Sequence, residues 1–272
     1  VLDIELPSAV INGPSVINIF AKDTLSLTSS AFIRDCDDTA VTSGLSIGYR
    51  VTRKNVLDLS LVSTSKNLFN FKLGAYALAP LTEYKVTLTA TILTTLESSS
   101  MSVTVLVGQG ELYAQLSGGS KIVARVLETS MIDASPSFDD DQNDVSGLEA
   151  GLRFSFACVQ IEPLAESCDS SIEILPDSYV DQELEVFGDK LYFRAFTQGQ
   201  GSITVWTVVV SDADSASFRS ATASIDVEVV SEESPTVALS SNTVLGIINP
   251  GKTLTVTARV STPAAILTTC TW

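Results

Sequence analysis

The sequence predicts an all-β chain built from tandem antiparallel β-sandwich modules. Three observations carry that prediction: strand-period alternation along the chain, an internal repeat about a hundred residues long, and a residue set rich in strand formers. The chain has 272 residues, 45% hydrophobic and 18% charged. Those are the proportions of a globular protein, and the length fits about two domains. Val, Ile and Thr are abundant, whereas Lys and Arg number 16 together and Met only 2, which favours pleated surfaces over helices.

The alternation is explicit in four segments. Tyr84, Val86, Leu88 and Ala90 alternate with Lys85, Thr87 and Thr89. Met101, Val103, Val105 and Val107 alternate with Ser102 and Thr104. Ile225, Val227 and Val229 alternate with Asp226 and Glu228, and Leu254, Val256, Ala258 and Val260 with Thr255, Thr257 and Arg259. Period two places one face in a core and the other in water, as in an antiparallel sheet. No long stretch has a 3.6 period; residues 77–81 read as a short turn of helix or 3₁₀.

The repeat sets the module boundaries. Ser43-Gly44-Leu45, Gly48 and Arg50 return as Ser146-Gly147-Leu148, Gly151 and Arg153. Further on, Phe69 and Phe71 meet Leu191 and Phe193, Tyr84 meets Trp206, and Val103, Val105 and Val107 meet Ile225, Val227 and Val229. The offset grows by about 19 residues between Arg153 and Leu191, so the second copy carries an insertion there. Copy one is read as residues 7–109 and copy two as 110–230, each the size of an Ig-like sandwich. A third, incomplete module is read over 235–272. The joins are short, which places modules end to end and predicts a rod.

Charge and composition exclude whole classes of function. The net charge is −16, which disfavours nucleic acid and anionic lipid as partners. There is no histidine, so Ser-His-Asp and Cys-His catalysis and His-ligated metals are excluded. No catalytic residues are assigned and no enzyme is expected. No stretch is long and apolar enough to span a bilayer as a helix. The opening Val1-Leu2-Asp3-Ile4-Glu5-Leu6 lacks a basic flank and an initiator Met, so it reads as a piece of something longer rather than as a signal peptide.

The most specific string is Ile132-Asp133-Ala134-Ser135-Pro136-Ser137-Phe138-Asp139-Asp140-Asp141, followed by Gly147-Leu148 and by Phe154-Ser155-Phe156-Ala157-Cys158. It resembles PKD and REJ (receptor for egg jelly) modules, best over residues 120–230, with Phe156 where PKD modules usually show Trp. The resemblance implies extracellular β-sandwich repeats of polycystin-like surface proteins, with a mechanical, adhesive or scaffold role and no enzymatic activity.

Within that string, Asp139, Asp141, Asn143 and Asp144 are candidate calcium ligands, since hard oxygens close in sequence suit Ca²⁺. The spacing fails the EF-hand pattern, because Val145 and Ala150 replace its Gly and its Glu. The competing reading is an inter-strand turn whose side chains bond nearby backbone. Calcium at this turn is the one cofactor considered. Asp37-Asp38 and Asp212-x-Asp214 read as turns.

Cys158 and Cys168 lie within the inserted segment and are read as a local disulfide in an exported protein, or else as two buried thiols. Cys36 and Cys270 have no assigned partner. Tyr84 and Trp206 are read as core aromatics. No Asn-x-Ser/Thr sequon occurs, so N-glycosylation is not expected, while O-linked glycans on 60–65 and 94–100 stay open. The expected function is a segment of a large extracellular or cell-surface repeat protein, forming a stalk or a filament such as a flagellar hair. Its partners would be neighbouring copies or other extracellular proteins. The alternative is an adhesion or ligand-binding ectodomain of a polycystin-like receptor that reads sugars or proteins.

Overall fold

The structure, a computed structural model, describes residues 6–34, 39–183, 186–212, 218–241, 251 and 253–262. Cys36, Asp37, Asp38, Asp214 and Cys270 lie outside the described residues. The chain forms two compact units, Val1–Gly110 with Asp140–Asn143, and Glu111–Asp139 with Asp144–Trp272. Among the described residues no helix is long and apolar enough to cross a membrane.

In the first unit the strands are β1 (Ser8–Asn12), β2 (Val16–Phe20), β3 (Leu25–Arg34), β4 (Ala40–Val41), β5 (Leu45–Arg53), β6 (Val56–Leu57), β7 (Asn70–Leu73), β8 (Thr82–Ile92) and β9 (Ser98–Gly108). One sheet gathers β1, β4 and β7 around β3; the other runs β2-β9-β8-β5-β6. The predicted alternation is the cause of the core. Val86, Leu88 and Ala90 of β8, with Val103 and Val105 of β9, are at most 1% exposed. Val86, Leu88, Val103 and Val105 share one buried cluster with Leu25, Leu27 and Phe71.

One pair departs from the antiparallel pattern. β2 runs parallel to β9, with Ile17 opposite Val105, while β1 pairs antiparallel with β3. The reason lies in Asn12-Gly13-Pro14-Ser15. Gly13 takes φ 119° and Pro14 has no N–H to donate, so the ladder breaks and the chain crosses to the other sheet.

The segment 77–81 is not helical. Tyr84, 3% exposed, accepts a hydrogen bond on its hydroxyl from the Ala79 N–H at 3.0 Å, and Leu81 takes φ 51°. A Tyr near the start of a strand, bonded to backbone a few residues upstream, is the tyrosine corner of Ig-type sandwiches. Tyr84→Phe is therefore expected to lower first-unit stability by about 1 kcal/mol in urea unfolding, with the β-sheet circular dichroism unchanged.

A second phenol links the two sheets. The Tyr49 hydroxyl of β5 lies 2.6 Å from the Ser29 hydroxyl of β3, and Ser29 donates to the Phe69 carbonyl at 3.0 Å. Burial pushes the Tyr49 phenol above its ordinary pKa, against the lowering effect of the Ser29 bond. The unfolded chain ionises first as pH rises. The contribution of the neutral phenol is thus complete below about pH 10 and is lost as pH climbs through the folded value. Melting curves between pH 8 and 11 should fall less steeply in Tyr49→Phe.

The second unit opens with β10 (Leu112–Tyr113), β11 (Lys121–Arg125), β12 (Thr129–Asp133), β13 (Phe138–Asp139), β14 (Leu152–Glu162) and β15 (Ile172–Ile174). It continues with β16 (Tyr179–Asp181), β17 (Val186–Phe187), β18 (Lys190–Ala195), β19 (Ile203–Asp212), β20 (Ser220–Val230), β21 (Thr236–Ser241) and β22 (Val256–Ser261). One sheet runs β11-β20-β19-β14 and the facing one β12-β18-β15. The order repeats that of β2-β9-β8-β5, down to the parallel pairing of β11 with β20. Trp206, 1% exposed, occupies the centre, stacked on Phe193 with centroids 5.9 Å apart. The region of the insertion holds β15, β16 and β17 and the short 3₁₀ turn Pro176–Ser178.

The repeated Ser-Gly-Leu string is only partly repeated in space. Gly44 and Gly147 both take positive φ. Gly48, however, lies within β5 opposite Thr89, whereas Gly151, at φ 70°, ends the 3₁₀ turn Gly147–Ala150 before β14 begins. The strand predicted over 254–260 is β22, paired antiparallel with β21. Its Val256 and Val260 remain 51% and 38% exposed.

Candidate functional site

The string from Asp133 to Asp139 is built into the second unit almost residue by residue. The Asp133 carboxylate accepts from the Ser135 N–H at 2.9 Å, the local turn expected of Asp. Ala134 is fully buried and its N–H donates to the Asp189 carbonyl at 2.8 Å. The Ser137 hydroxyl, also fully buried, accepts from the Gln115 N–H and donates to the Gln115 carbonyl. Its own carbonyl accepts from the Gly147 N–H at 2.7 Å. Phe138 stacks on Tyr113 at 4.8 Å across the β10–β13 pair. A larger residue at 134 or an apolar one at 137 would clash or strand these backbone groups.

Asp139 and Asp212 converge on Arg219. Arg219 donates to both Asp139 oxygens at 3.0 and 2.8 Å and to both Asp212 oxygens at 2.9 Å. The side chains are 19% (Arg219), 6% (Asp139) and 13% (Asp212) exposed. Burial works against the guanidinium charge. The hydrogen bonds to Asp139 and then Asp212 more than offset it and hold the Arg219 pKa above its ordinary value. Planar fork-to-carboxylate geometry makes this an Arg site rather than a Lys site.

Two of the four predicted calcium ligands, Asp139 and Asp141, already have protein partners. Asp139 is engaged by Arg219. The Asp141 carboxylate accepts the Gly110 N–H at 2.9 Å on both oxygens. Neighbouring Asp140 pairs with Lys22. Asp144 sits at φ 54°, a turn conformation that Asp tolerates. Among the described residues no three acidic, Cys or His side chains gather as a metal cluster. With a guanidinium already balancing Asp139, the melting temperature is expected to be the same in millimolar Ca²⁺ as in chelator. An upward shift in calcium would instead support the metal reading.

Cys158 and Cys168 are joined as a disulfide, Cα–Cα 5.9 Å. Cys168 is buried and both cysteines pack with the second core. The bridge ties β14 to the base of the inserted segment. Gln160 supports the same corner, donating to the Pro163 carbonyl and accepting from the Ser171 hydroxyl.

Sequence reasoning missed Arg219. One signal was available: it is the only basic residue between Arg194 and Lys252, beside a turn rich in Asp. An isolated cation in an acidic surrounding is a candidate for pairing.

Three comparisons bear on this arrangement. The family model described as "REJ domain" matches residues 46–272. No curated protein matches the chain. Among solved structures, the titin domains Z1Z2 in complex with telethonin match at 13% identity and TM-score 0.37, covering 82% of this chain and 97% of that one. The titin domains I67–I69, in an E-to-A variant, match at 11% identity and TM-score 0.29, covering 96% and 77%. Fibronectin(III)-like modules of Clostridium thermocellum CbhA match at 14% identity and TM-score 0.25, covering 82% and 95%.

Proposed function

The chain belongs to the REJ domain family, whose members are extracellular β-sandwich domains of polycystin-like proteins, and from that premise we propose that it is a structural segment of a large extracellular repeat protein, forming part of a stalk or cell-surface filament. The observation that carries the reading is the duplication of a self-sufficient unit. Each unit has its own buried core and the same order of strands in its larger sheet. Repetition of a complete core is what a load-bearing array needs, whereas a single catalytic cleft does not call for it.

The polar chemistry supports the same reading. The family string and Arg219 are occupied in holding loops to sheets, which is cohesion rather than turnover. The Cys158–Cys168 bridge suits an oxidising, extracellular setting. Neighbouring copies, other extracellular proteins and O-linked glycans are the partners proposed.

Electron microscopy of the full-length native protein tests this. The expected result is an elongated particle or filament with a regular axial repeat, labelled on unpermeabilised cells by an antibody to this segment. Compact dispersed particles, or labelling only after permeabilisation, would overturn it. A second reading, ligand recognition, is favoured by the inserted segment, where Leu164 and Val180 are 86% and 58% exposed. Binding to a glycan array that is lost on Leu164→Asp would support that alternative.

A further inference from the structure

The first unit carries an open sheet edge beside an apolar groove. β5 and β6 form a hairpin whose two turn residues, Lys54 and Asn55, take φ 48° and 66°, as a type I′ turn requires. β6 is short and pairs only with Thr52 and Arg53 of β5. The Asp58 N–H then donates to the Val51 carbonyl at 2.9 Å, so Val51 points its backbone groups away from β8. By the alternation of antiparallel ladders, Tyr49 and Ile47 point theirs the same way. Beyond Val51, no described residue pairs with that edge.

Alongside it lies a cavity of about 520 Å³ lined by Ile47, Tyr49, Leu57, Leu59, Leu61 and Leu68, among others. Leu59 is 80% and Leu68 67% exposed. An open strand edge next to pockets for alternate side chains is the geometry of strand addition.

Charge selects the occupant. Residues 45–73, which form the edge and groove, hold five of the chain's 16 basic residues and one of its 32 acidic ones. The remainder of the chain therefore holds 11 basic and 31 acidic residues. The chain also contains a segment of the chemistry the groove fits: Val1-Leu2-Asp3-Ile4-Glu5-Leu6 alternates apolar with acidic residues at strand period.

We propose that this edge binds a second copy of the chain, which adds its residues 1–6 as an extra strand. Leu2, Ile4 and Leu6 enter the groove, and Asp3 and Glu5 meet the basic side chains around it, Arg50 among them. The surface does not depend on the scaffold role. A chain that stays monomeric overturns the surface and leaves that role standing, whereas a compact full-length particle does the reverse.

Sedimentation velocity on the intact 272-residue chain tests the proposal. The expected result is a concentration-dependent dimer that weakens as NaCl is raised. A synthetic peptide of residues 1–7 should dissociate it. Asp3→Lys with Glu5→Lys should weaken it by about tenfold or more, as should Leu59→Asp, and neither should change the melting temperature. Leu59 is largely exposed, so Leu59→Asp keeps the fold. A monomer at every concentration, or a dimer indifferent to the peptide and to both sets of substitutions, overturns the assignment.

Discussion

Arg219→Met is expected to destabilise the second unit by about 3–5 kcal/mol, because it strands two buried carboxylates without their cation. Four charge-assisted hydrogen bonds end on this one guanidinium, and both acids are less than one-seventh exposed. Removing the charge they solvate costs more than the bonds themselves. The measurement is urea unfolding followed by Trp206 fluorescence in a Trp272→Phe background, which leaves Trp206 as the single reporter of the second core. The decisive control adds Asp139→Asn and Asp212→Asn to Arg219→Met. If stranded charge is the cause, the neutral triple variant regains most of the lost stability. A triple variant as weak as Arg219→Met alone would mean that the packing of the long side chain mattered more than its charge.

Replacing Cys158 and Cys168 together by Ala is expected to lower the stability of the same unit by about 3 kcal/mol, the chain-entropy value for a loop of roughly this length. The bridge closes a separation of 10 residues, from Cys158, opposite Trp206 in the β14–β19 ladder, to the buried Cys168. The loss should appear in the Trp206 transition and spare that of the first unit. Reductant should bring the wild-type curve close to that of the variant and leave the variant unmoved. A wild-type curve insensitive to reductant would show that packing of the inserted segment, not the covalent tie, holds it in place.

Much of the architecture was legible beforehand because it is written in local spacing. The alternating residues of β8, β9 and β20 form the cores. The Cys158–Cys168 bridge follows from two cysteines in one inserted segment. Tyr84 and Trp206 are buried as their apolar surroundings implied. The acidic run left two readings open, a shared calcium for Asp139, Asp141, Asn143 and Asp144 or an inter-strand turn bonded to nearby backbone. In space Asp139 turns to an arginine 80 residues away and Asp141 to the Gly110 backbone. The helical turn expected over 77–81 failed for a related reason: a strand residue, Tyr84, captures the Ala79 N–H.

By itself the sequence determined the all-β, sandwich-type fold class and a cysteine pair close enough to bridge, since period-two burial and cysteine spacing are properties of neighbouring residues. Only the tertiary structure decided which charges neutralise one another, where the first strand changes sheets, and which edge of β5 is left open. Those outcomes depend on side chains and backbone groups brought together from distant parts of the chain. In a buried, low-dielectric setting the nearest satisfactory partner in space prevails over the nearest in sequence.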